Sequence, residues 1–499
     1  MNLGMLLEMA VEGAGDRVLL GPRDGGLTAV QLHDRARRAA AQFAAQKVER
    51  VALVDVNSEI VPIALFAAGF AGLPFAPLNY RLGDDQLGEI IDRLAPVAIV
   101  AGPDTVDRVR GRAGVTVFDH DLGQRDRASA EDPRVTGAVD ADAPAVILFT
   151  SGTTGAAKAA VLRHRHLVSY VIGTVEFLGA DDDEAQLVSV PPYHIAAVST
   201  ILTSVYSGRR IVYLPTFDAE LWVKTAETEA VSHAMVVPTM LGRILDVIET
   251  QNVRLPRLRH LSYGGGRMPS EVIERAMRAL PHVDFVNAYG LTETSSTIAV
   301  LGPDEHRAAF AGADASVRAR LRSVGRPVPG LEVEIRGVDG IAVAAGDRGE
   351  IYVRGEQVAG EYIGRSSLTD DGWFPTNDAG YFDDDGFLYL EGRLDDVIVR
   401  GAENLSPVEI EDVLIAHEAV IDAGVVGVPN QEWGEAVVAA VVLATGARAD
   451  EDELRTWVRE RLRSTKTPEH IEFREELPYG ETGKLLRRIL RSELAIRKE

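Results

Sequence analysis

The stretch LFTSGTTGAAKAAV, residues 148–161, decides how this chain is read. Its first residues continue an apolar run that begins at Ala145. The side chains then shrink to Ser151, Gly152, Thr153, Thr154 and Gly155 before a lysine, Lys158. A segment with so little apolar bulk cannot pack a core. Its backbone N–H groups can instead form a concave nest for phosphate oxygens, with hydroxyls of Thr150, Ser151, Thr153 and Thr154 as further donors and Lys158 adding positive charge. No Gly-Lys-Ser/Thr follows, so the spacing is not that of the common phosphate-loop NTPases. Ser151 also lacks the Gly-x-Ser-x-Gly elbow of a hydrolase nucleophile. Taken alone, the stretch reads equally well as an exposed loop after a strand.

Working outward, short β-branched runs alternate with amphipathic segments: VALVDV at 51–56, VAIVAG at 97–102, AVILFT at 145–150, IVYLP at 211–215, AMVVP at 234–238 and DFVNAYG at 284–290. Charged segments such as DRARRAAAQFAAQ and PSEVIERAMRAL lie between them. This alternation predicts an α/β fold with parallel sheets covered by helices. From about Ser323 the chain turns to Gly-punctuated strands, VGRPVPGLEVEIRG and GEIYVRGEQVAGEYIG, which predict an antiparallel β subdomain. After Asp395 a helix, two strands, a second helix and a basic tail predict a small α+β unit. The predicted division is 1–394 and 395–499. No internal repeat or low-complexity linker is visible.

The 499 residues exceed what one hydrophobic core usually serves. A formal net charge of −23 argues against sequence-independent nucleic-acid binding, which needs a surplus of Lys and Arg. Without cysteine there are no disulfides, thiolate metal sites or cysteine nucleophile, which fits a cytoplasmic protein. The N-terminus meets Glu8 and Glu12 early and does not read as a signal peptide. The uncharged run IVPIALFAAGFAGLPFAPL at 60–78 is nearly long enough to span a membrane. Pro74 and Pro77 break it, and Gly72 reads as a C-cap, so a buried helix followed by an extended segment is expected.

Further motifs carry chemistry. NAYGLTETSS places Tyr289, Thr292 and Glu293 at the end of an apolar strand, where an aromatic, a hydroxyl and a carboxylate can stack a base, touch a phosphate and hold Mg²⁺. A plain strand-to-helix turn has the same look. Between WFPTND and GRLDD, Asp378 can accept from ribose hydroxyls and Arg393 can support sugar or phosphate. The triplet Asp383, Asp384 and Asp385 before Gly386 lacks calcium-loop spacing and reads as a hairpin turn. LPYGETGKLLRRILR places Lys484 beside a basic helix start.

In this order, TSGTTGAAK, YGGGRMP, YGLTET, WFPTND, GRLDDVIVRGAENLSPVEIE and ETGKLLRR closely resemble the adenylate-forming superfamily, in particular its AMP-forming acyl- and aryl-CoA ligase branch. The resemblance spans essentially the whole chain. It implies a large N-terminal domain with two α/β subdomains and a β subdomain, followed by a mobile C-terminal lid. It also implies a reaction in which a carboxylate attacks the α-phosphate of ATP to give acyl-AMP and pyrophosphate, after which the thiol of coenzyme A takes the acyl group. On this resemblance the residue 151–155 loop and Lys158 cradle phosphates, Gly264, Gly265, Gly266 and Tyr289 frame adenine, and Thr292 touches the α-phosphate. Glu293 binds Mg²⁺, while Asp378 and Arg393 hold ribose. Lys484 bridges carboxylate and phosphorane, Asp395 is the pivot of the lid, and Gly401, Ala402 and Trp433 line the pantetheine channel. His194, in PPYHIAAVST, matches a residue that gates the acyl site, although a lone histidine beside an apolar run is commonly a packed core residue.

Val198, Val237, Pro238 and Thr294, with Gly264, are expected to line an apolar acyl cavity suited to a fatty, branched or aromatic acid. Arg267 or Arg243 recognising a second carboxylate, as in a dicarboxylate ligase, is the competing expectation, with a surface position the plainer one for each. The chain departs from the family pattern at Asn377, where glycine is usual, and at Gly266 and Arg267, where Ala-Pro is usual. Ala157 and Ala159 replace a proline and a glycine around Lys158. An acyl-AMP ligase that loads a separate carrier protein is the alternative activity, and a non-catalytic binding paralogue is a third. No carrier segment with an Asp-Ser-Leu attachment site is present. A monomer or a homodimer is compatible with the sequence.

Overall fold

The structure, a computed structural model, describes residues 1–124, 139–150, 158–312, 314–401, 403–430, 433–444, 446–480 and 485–496. Two large sheets form the body. One has nine strands, in the order Arg326–Pro327, Ser296–Leu301, Asp284–Leu291, His260–Gly264, His233–Val236, Ala185–Val188, Arg210–Tyr213, Val18–Leu20 and Leu27–Thr28. Its middle is parallel, as the alternating pattern predicts, and its edges are antiparallel. The other has eight strands, with a parallel half formed by Phe75–Pro77, Arg50–Val54, Val97–Ala101 and Val115–Phe118. Its remaining half is built on the antiparallel hairpin Pro144–Thr150 and Lys158–Arg163. The fold is α/β, with a large N-terminal region and a small C-terminal one.

The uncharged run becomes the helix Ile60–Ala71, buried at every position except Ala71. It ends where Gly72 takes a left-handed conformation at φ 67°, and Phe75–Pro77 follows as a strand. A residue with a Cβ is disfavoured there, so the glycine terminates the helix. Twelve residues at 1.5 Å each are too short to cross a bilayer. No helix among the described residues is long and apolar enough to do so.

The region after Ser323 forms a four-stranded antiparallel sheet of Glu332–Arg336, Gly349–Arg354, Phe374–Phe382 and Leu388–Arg393. One part of the expectation fails. Glu361–Tyr362 leaves this sheet and pairs with Lys158–Arg163, extending the eight-stranded sheet. The Arg163 guanidinium holds it there through two 2.8 Å hydrogen bonds to the Glu361 carboxylate.

Residues beyond 397 form a third layer. Its five-stranded sheet contains Val420–Asn430, Gly434–Leu443 and His470–Arg474, with the helices Pro407–Ile415 and Glu451–Arg461. The expected basic tail is in fact the strand His470–Arg474 and the helix Arg487–Ile496. Leu490 and Leu494, one turn apart, are buried against Val426 and Val438. The flanking arginines obscure that stripe in the sequence.

Candidate active site

The site is assembled where the strand ends of the nine-stranded sheet meet the four-stranded sheet. His260–Gly264 and Asp284–Leu291 are parallel neighbours in register, with Gly264 opposite Ala288. A Cβ on Gly264 would lie 2.3 Å from the Ala288 carbonyl oxygen, so only glycine permits this approach. Gly265 follows at φ 78°, turning the chain out of the sheet. After Leu291, Thr292–Thr294 make a single 3₁₀ turn and the chain returns antiparallel as Ser296–Leu301. The motif is therefore a hairpin tip and not a strand-to-helix turn.

Asp378 and Arg393 face each other as partners across the hairpin Phe374–Phe382 and Leu388–Arg393. Arg393 donates to Asp378 Oδ1 at 3.1 Å, and the Tyr289 hydroxyl donates to Oδ2 at 2.7 Å. The pair at the end of one sheet is thus tied to the strand end of another. Asp378 is buried, as is the Tyr289 ring, which packs with Ile298, Val324 and Phe374. Burial and the adjacent Asp378 charge hold the Tyr289 phenol far above its ordinary pKa, so it remains a donor. A carboxylate oriented by two donors keeps lone pairs for the hydroxyls of a sugar.

Glu293 is also buried. Its Oε1 accepts from the Tyr362 hydroxyl at 2.5 Å, and its backbone carbonyl accepts from Ala359 N–H at 2.8 Å. The Lys158 ammonium stands 5.9 Å from the centre of the Tyr362 ring. Burial, then Glu293, raises the Tyr362 pKa, so its hydroxyl donates. Tyr362 is the residue that reading the motifs misses, because only the sheet crossing described above brings it to Glu293. No group of three or more His, Cys, Asp or Glu side chains arranged to hold a metal ion exists among the described residues. A single fixed carboxylate suits Mg²⁺, which commonly binds one or two protein carboxylates and takes its other ligands from phosphates and water. The Glu293 environment fits that ion.

The loop of Ser151, Gly152, Thr153, Thr154 and Gly155 lies outside the described residues, as do Ala402 and Lys484. Their flanks are described. Thr150 and Lys158 are the last pair of the hairpin before its connecting loop, and the Thr150 hydroxyl donates to the Lys158 carbonyl at 3.4 Å.

His194 precedes the helix Ile195–Ser207, with its ring 4.7 Å from that of Tyr193. Its Nε2 is buried and has no hydrogen-bond partner among the described residues. Burial lowers its pKa to about 4, so the imidazole is neutral at ordinary pH. The Nε2 of the core histidine His164 is likewise buried without a partner among the described residues, so this feature is shared with a packed histidine. Of the expected acyl-cavity residues, Val198 is fully buried in the main core, and the Thr294 hydroxyl is taken up by the Leu291 and Ser296 carbonyls. Val237 and Pro238 are buried at the start of the helix Pro238–Gln251.

In the C-terminal region, Gly401 at φ 63° donates its N–H to the Trp433 carbonyl at 2.6 Å, and Trp433 is 44% exposed. Asp395 lies in the Leu394–Asp396 turn and accepts from the Asn377 amide at 2.7 Å. Arg267 reaches the C-terminal region. It pairs with Asp412 and donates to the Val408 carbonyl at 3.4 Å, both on the helix Pro407–Ile415. Arg243 is exposed on the helix Pro238–Gln251. In this orientation the Arg267 guanidinium is already paired with an acid of the lid, and Arg243 lies on the surface, the plainer position expected for it.

Residues 7–363 match the AMP-binding enzyme family and residues 409–484 match the AMP-binding enzyme C-terminal domain. A feruloyl-CoA synthase of Amycolatopsis sp. is 33% identical over 476 residues, covering 93% of this chain and 94% of that one. Two solved structures superpose along nearly the whole chain. The o-succinylbenzoate CoA synthetase of Bacillus subtilis, in complex with its acyl-adenylate intermediate, is 27% identical with a TM-score of 0.82, covering 97% of each chain. ATP-bound MatB from Rhodopseudomonas palustris is 26% identical with a TM-score of 0.87, covering 100% of each. The chain therefore belongs to the AMP-binding, adenylate-forming enzymes, and within them it is an AMP-forming acid–CoA ligase.

Proposed function

We propose that this enzyme activates an apolar, preferentially aromatic, carboxylic acid with ATP and passes the acyl group to coenzyme A. The observation that carries this reading is that Tyr289 binds the Asp378–Arg393 pair of the four-stranded sheet while Glu293, just beyond it on the same hairpin, binds Tyr362 of the eight-stranded sheet, so that two oriented carboxylates are built around one strand end, one suited to ribose hydroxyls and the other to a metal ion. A carboxylate oxygen of the acid forms a bond to the α-phosphorus while the bond to the β-phosphate oxygen breaks, and pyrophosphate leaves with the electron pair. Asp378 and Arg393 hold the ribose, and the glycines 264–266 with Tyr289 frame the adenine. Thr292 contacts the α-phosphate. Thr150, Ser151, Gly152, Thr153, Thr154, Gly155 and Lys158 hold the outer phosphates. Mg²⁺, bound by Glu293 and phosphate oxygens, would offset the charge of those phosphates. Lys484 neutralises charge between the carboxylate and the phosphorus, so positioning and electrostatics supply most of the acceleration.

In the second step the thiolate sulfur attacks the acyl carbon, the bond to the phosphate oxygen breaks and AMP leaves. This requires the lid, residues 395–499, to turn about Asp395 so that Gly401, Ala402 and Trp433 meet the pantetheine. His194, neutral and without a partner for Nε2 among the described residues, would act as the gate between the two approaches. Preference for an aromatic acid rests on the feruloyl and succinylbenzoate relatives together with the apolar surroundings of Val237 and Pro238.

The test is pyrophosphate release with Mg-ATP across short, branched, long-chain, aromatic and dicarboxylic acids, with and without coenzyme A, with products identified by mass spectrometry. An aryl-CoA product is expected. Acyl-AMP that persists in the presence of coenzyme A would transfer the assignment to carrier loading, and a preference for non-aromatic acids would overturn the acid class.

A further inference from the structure

The polypeptide passes from the body to the C-terminal sheet through the short turn Leu394–Asp396. Around this passage three side chains bridge body and lid. The Asn377 amide donates to the Asp395 carboxylate at 2.7 Å, Arg267 pairs with Asp412 and reaches the Val408 carbonyl, and the Ser406 hydroxyl donates to the Glu391 carbonyl at 2.7 Å. Asn377 sits at φ 62°, a conformation that glycine adopts without cost and asparagine tolerates better than most residues. The backbone there needs only a glycine, and the asparagine side chain adds a bond across the passage. Arg267 follows the glycine turn of the body and reaches 141 residues along the chain to the lid helix.

The same helix holds the flank of Lys484. Arg487 donates to both Glu411 oxygens at 2.7 and 2.6 Å. The hairpin side of the lid that carries Trp433 and Val399 faces solvent, at 44% and 50% exposure. Resting on the reading above, the lid helix that carries Asp412 and Glu411 meets the body in this orientation, and the Trp433 side, read as the coenzyme A side, is turned to solvent.

We infer that Asn377 and Arg267 form a two-point latch that holds the lid in the adenylate-forming orientation and is released before thioester formation. Both contacts are partly exposed, so each is worth a modest factor, about two- to fivefold in the balance between orientations. A latch that favours one of two working orientations speeds the step performed in it and slows the other. Asn377→Gly and Arg267→Ala should therefore lower the single-turnover rate of acyl-AMP formation and raise that of thioester formation from preformed acyl-AMP. The double variant should give roughly the product of the two effects. Loss of stability alone would lower both steps together.

The chain contains no cysteine, so spin labels can be placed cleanly. With Glu271→Cys in the body and Asp452→Cys in the lid, both exposed positions, the distance distribution of the free protein reads the orientation without any activity. The latch predicts one dominant distance that broadens toward a second population in Asn377→Gly and Arg267→Ala. It also predicts that Asp412→Arg, added to Arg267→Asp, recovers the single distance. Distances unchanged in all variants, or both half-reactions slowed equally, would overturn the latch. Failure of every acid in the panel, with the labelled distances shifting as expected, would instead overturn the proposed reaction.

Discussion

At the scale of single residues, the contacts that define the site make separate demands. Tyr362 contributes one hydroxyl to Glu293, and Tyr362→Phe removes it while keeping the ring near Lys158. A carboxylate without that donor is less well oriented. The Mg²⁺ concentration giving half-maximal pyrophosphate release should rise by about three- to tenfold, with little change in melting temperature. A magnesium titration of the variant checks this, and an unchanged titration would remove Tyr362 from the metal environment. His194 carries a second residue-level prediction. Burial disfavours its charged form and lowers its pKa to about 4, so it should stay neutral throughout the working range. An NMR titration of labelled histidine should show no inflection for His194 between pH 5.5 and 7.5, and one near 6.5 would contradict its burial. Residue type and spacing singled out Asp378, Glu293 and Arg393, and the structure pairs Asp378 with Arg393 and gives each carboxylate a tyrosine donor. Tyr362 was not legible, since no local pattern reports a strand that changes sheets.

At the scale of elements, much of the fold follows from short-range rules. The β-branched runs became strands at nearly the expected residues, and Gly72 ended its helix by adopting positive φ. Long-range pairing is what those rules omit. Glu361–Tyr362 has the composition of its antiparallel neighbours but joins the other sheet through Arg163, and Arg487–Ile496 hides a two-leucine stripe among charges. The turn at Asn377 likewise reads as an ordinary departure from glycine until its partner Asp395, eighteen residues on, is known. One element carries its own test. Trp433 packs beside Gly401, with its backbone carbonyl accepting from the Gly401 N–H. Trp433→Ala should raise the apparent KM for coenzyme A by about tenfold and leave pyrophosphate release from ATP and acid nearly intact. Steady-state kinetics with varied coenzyme A decides it, and an unchanged KM would take Trp433 out of the channel.

At the scale of the whole molecule, stability depends on histidines buried in neutral form. His164, His166 and His306 are almost fully buried, and burial lowers each pKa to about 4. The Leu3 and Arg163 N–H groups donate to Nδ1 of His164 and His166. His306 donates from Nδ1 to the Gly302 carbonyl and accepts the Tyr263 hydroxyl at Nε2. Each arrangement requires one unprotonated ring nitrogen. Between pH 6.5 and about 4 the unfolded chain therefore binds more protons than the folded one, so stability falls as pH falls through that window. The loss approaches roughly 3 kcal/mol per histidine near its lower end. Melting curves from pH 7.5 to 4 should show a steep decline below pH 6, whereas a constant melting temperature down to pH 4.5 would contradict these assignments.

In the proposed reaction one molecule performs both adenylation and transfer, and Lys484 serves the first step. The most direct measurement is a single-turnover experiment with ATP radiolabelled at the α-phosphate and an accepted acid, run first without and then with coenzyme A, for the native chain and for Lys484→Ala. The native enzyme should accumulate labelled acyl-AMP and, on addition of coenzyme A, convert it to acyl-CoA and labelled AMP. Lys484→Ala should form acyl-AMP about 10²-fold more slowly yet convert supplied acyl-AMP at close to the native rate. Acyl-AMP that survives coenzyme A in the native enzyme, or an equal loss of both steps in the variant, would contradict the account.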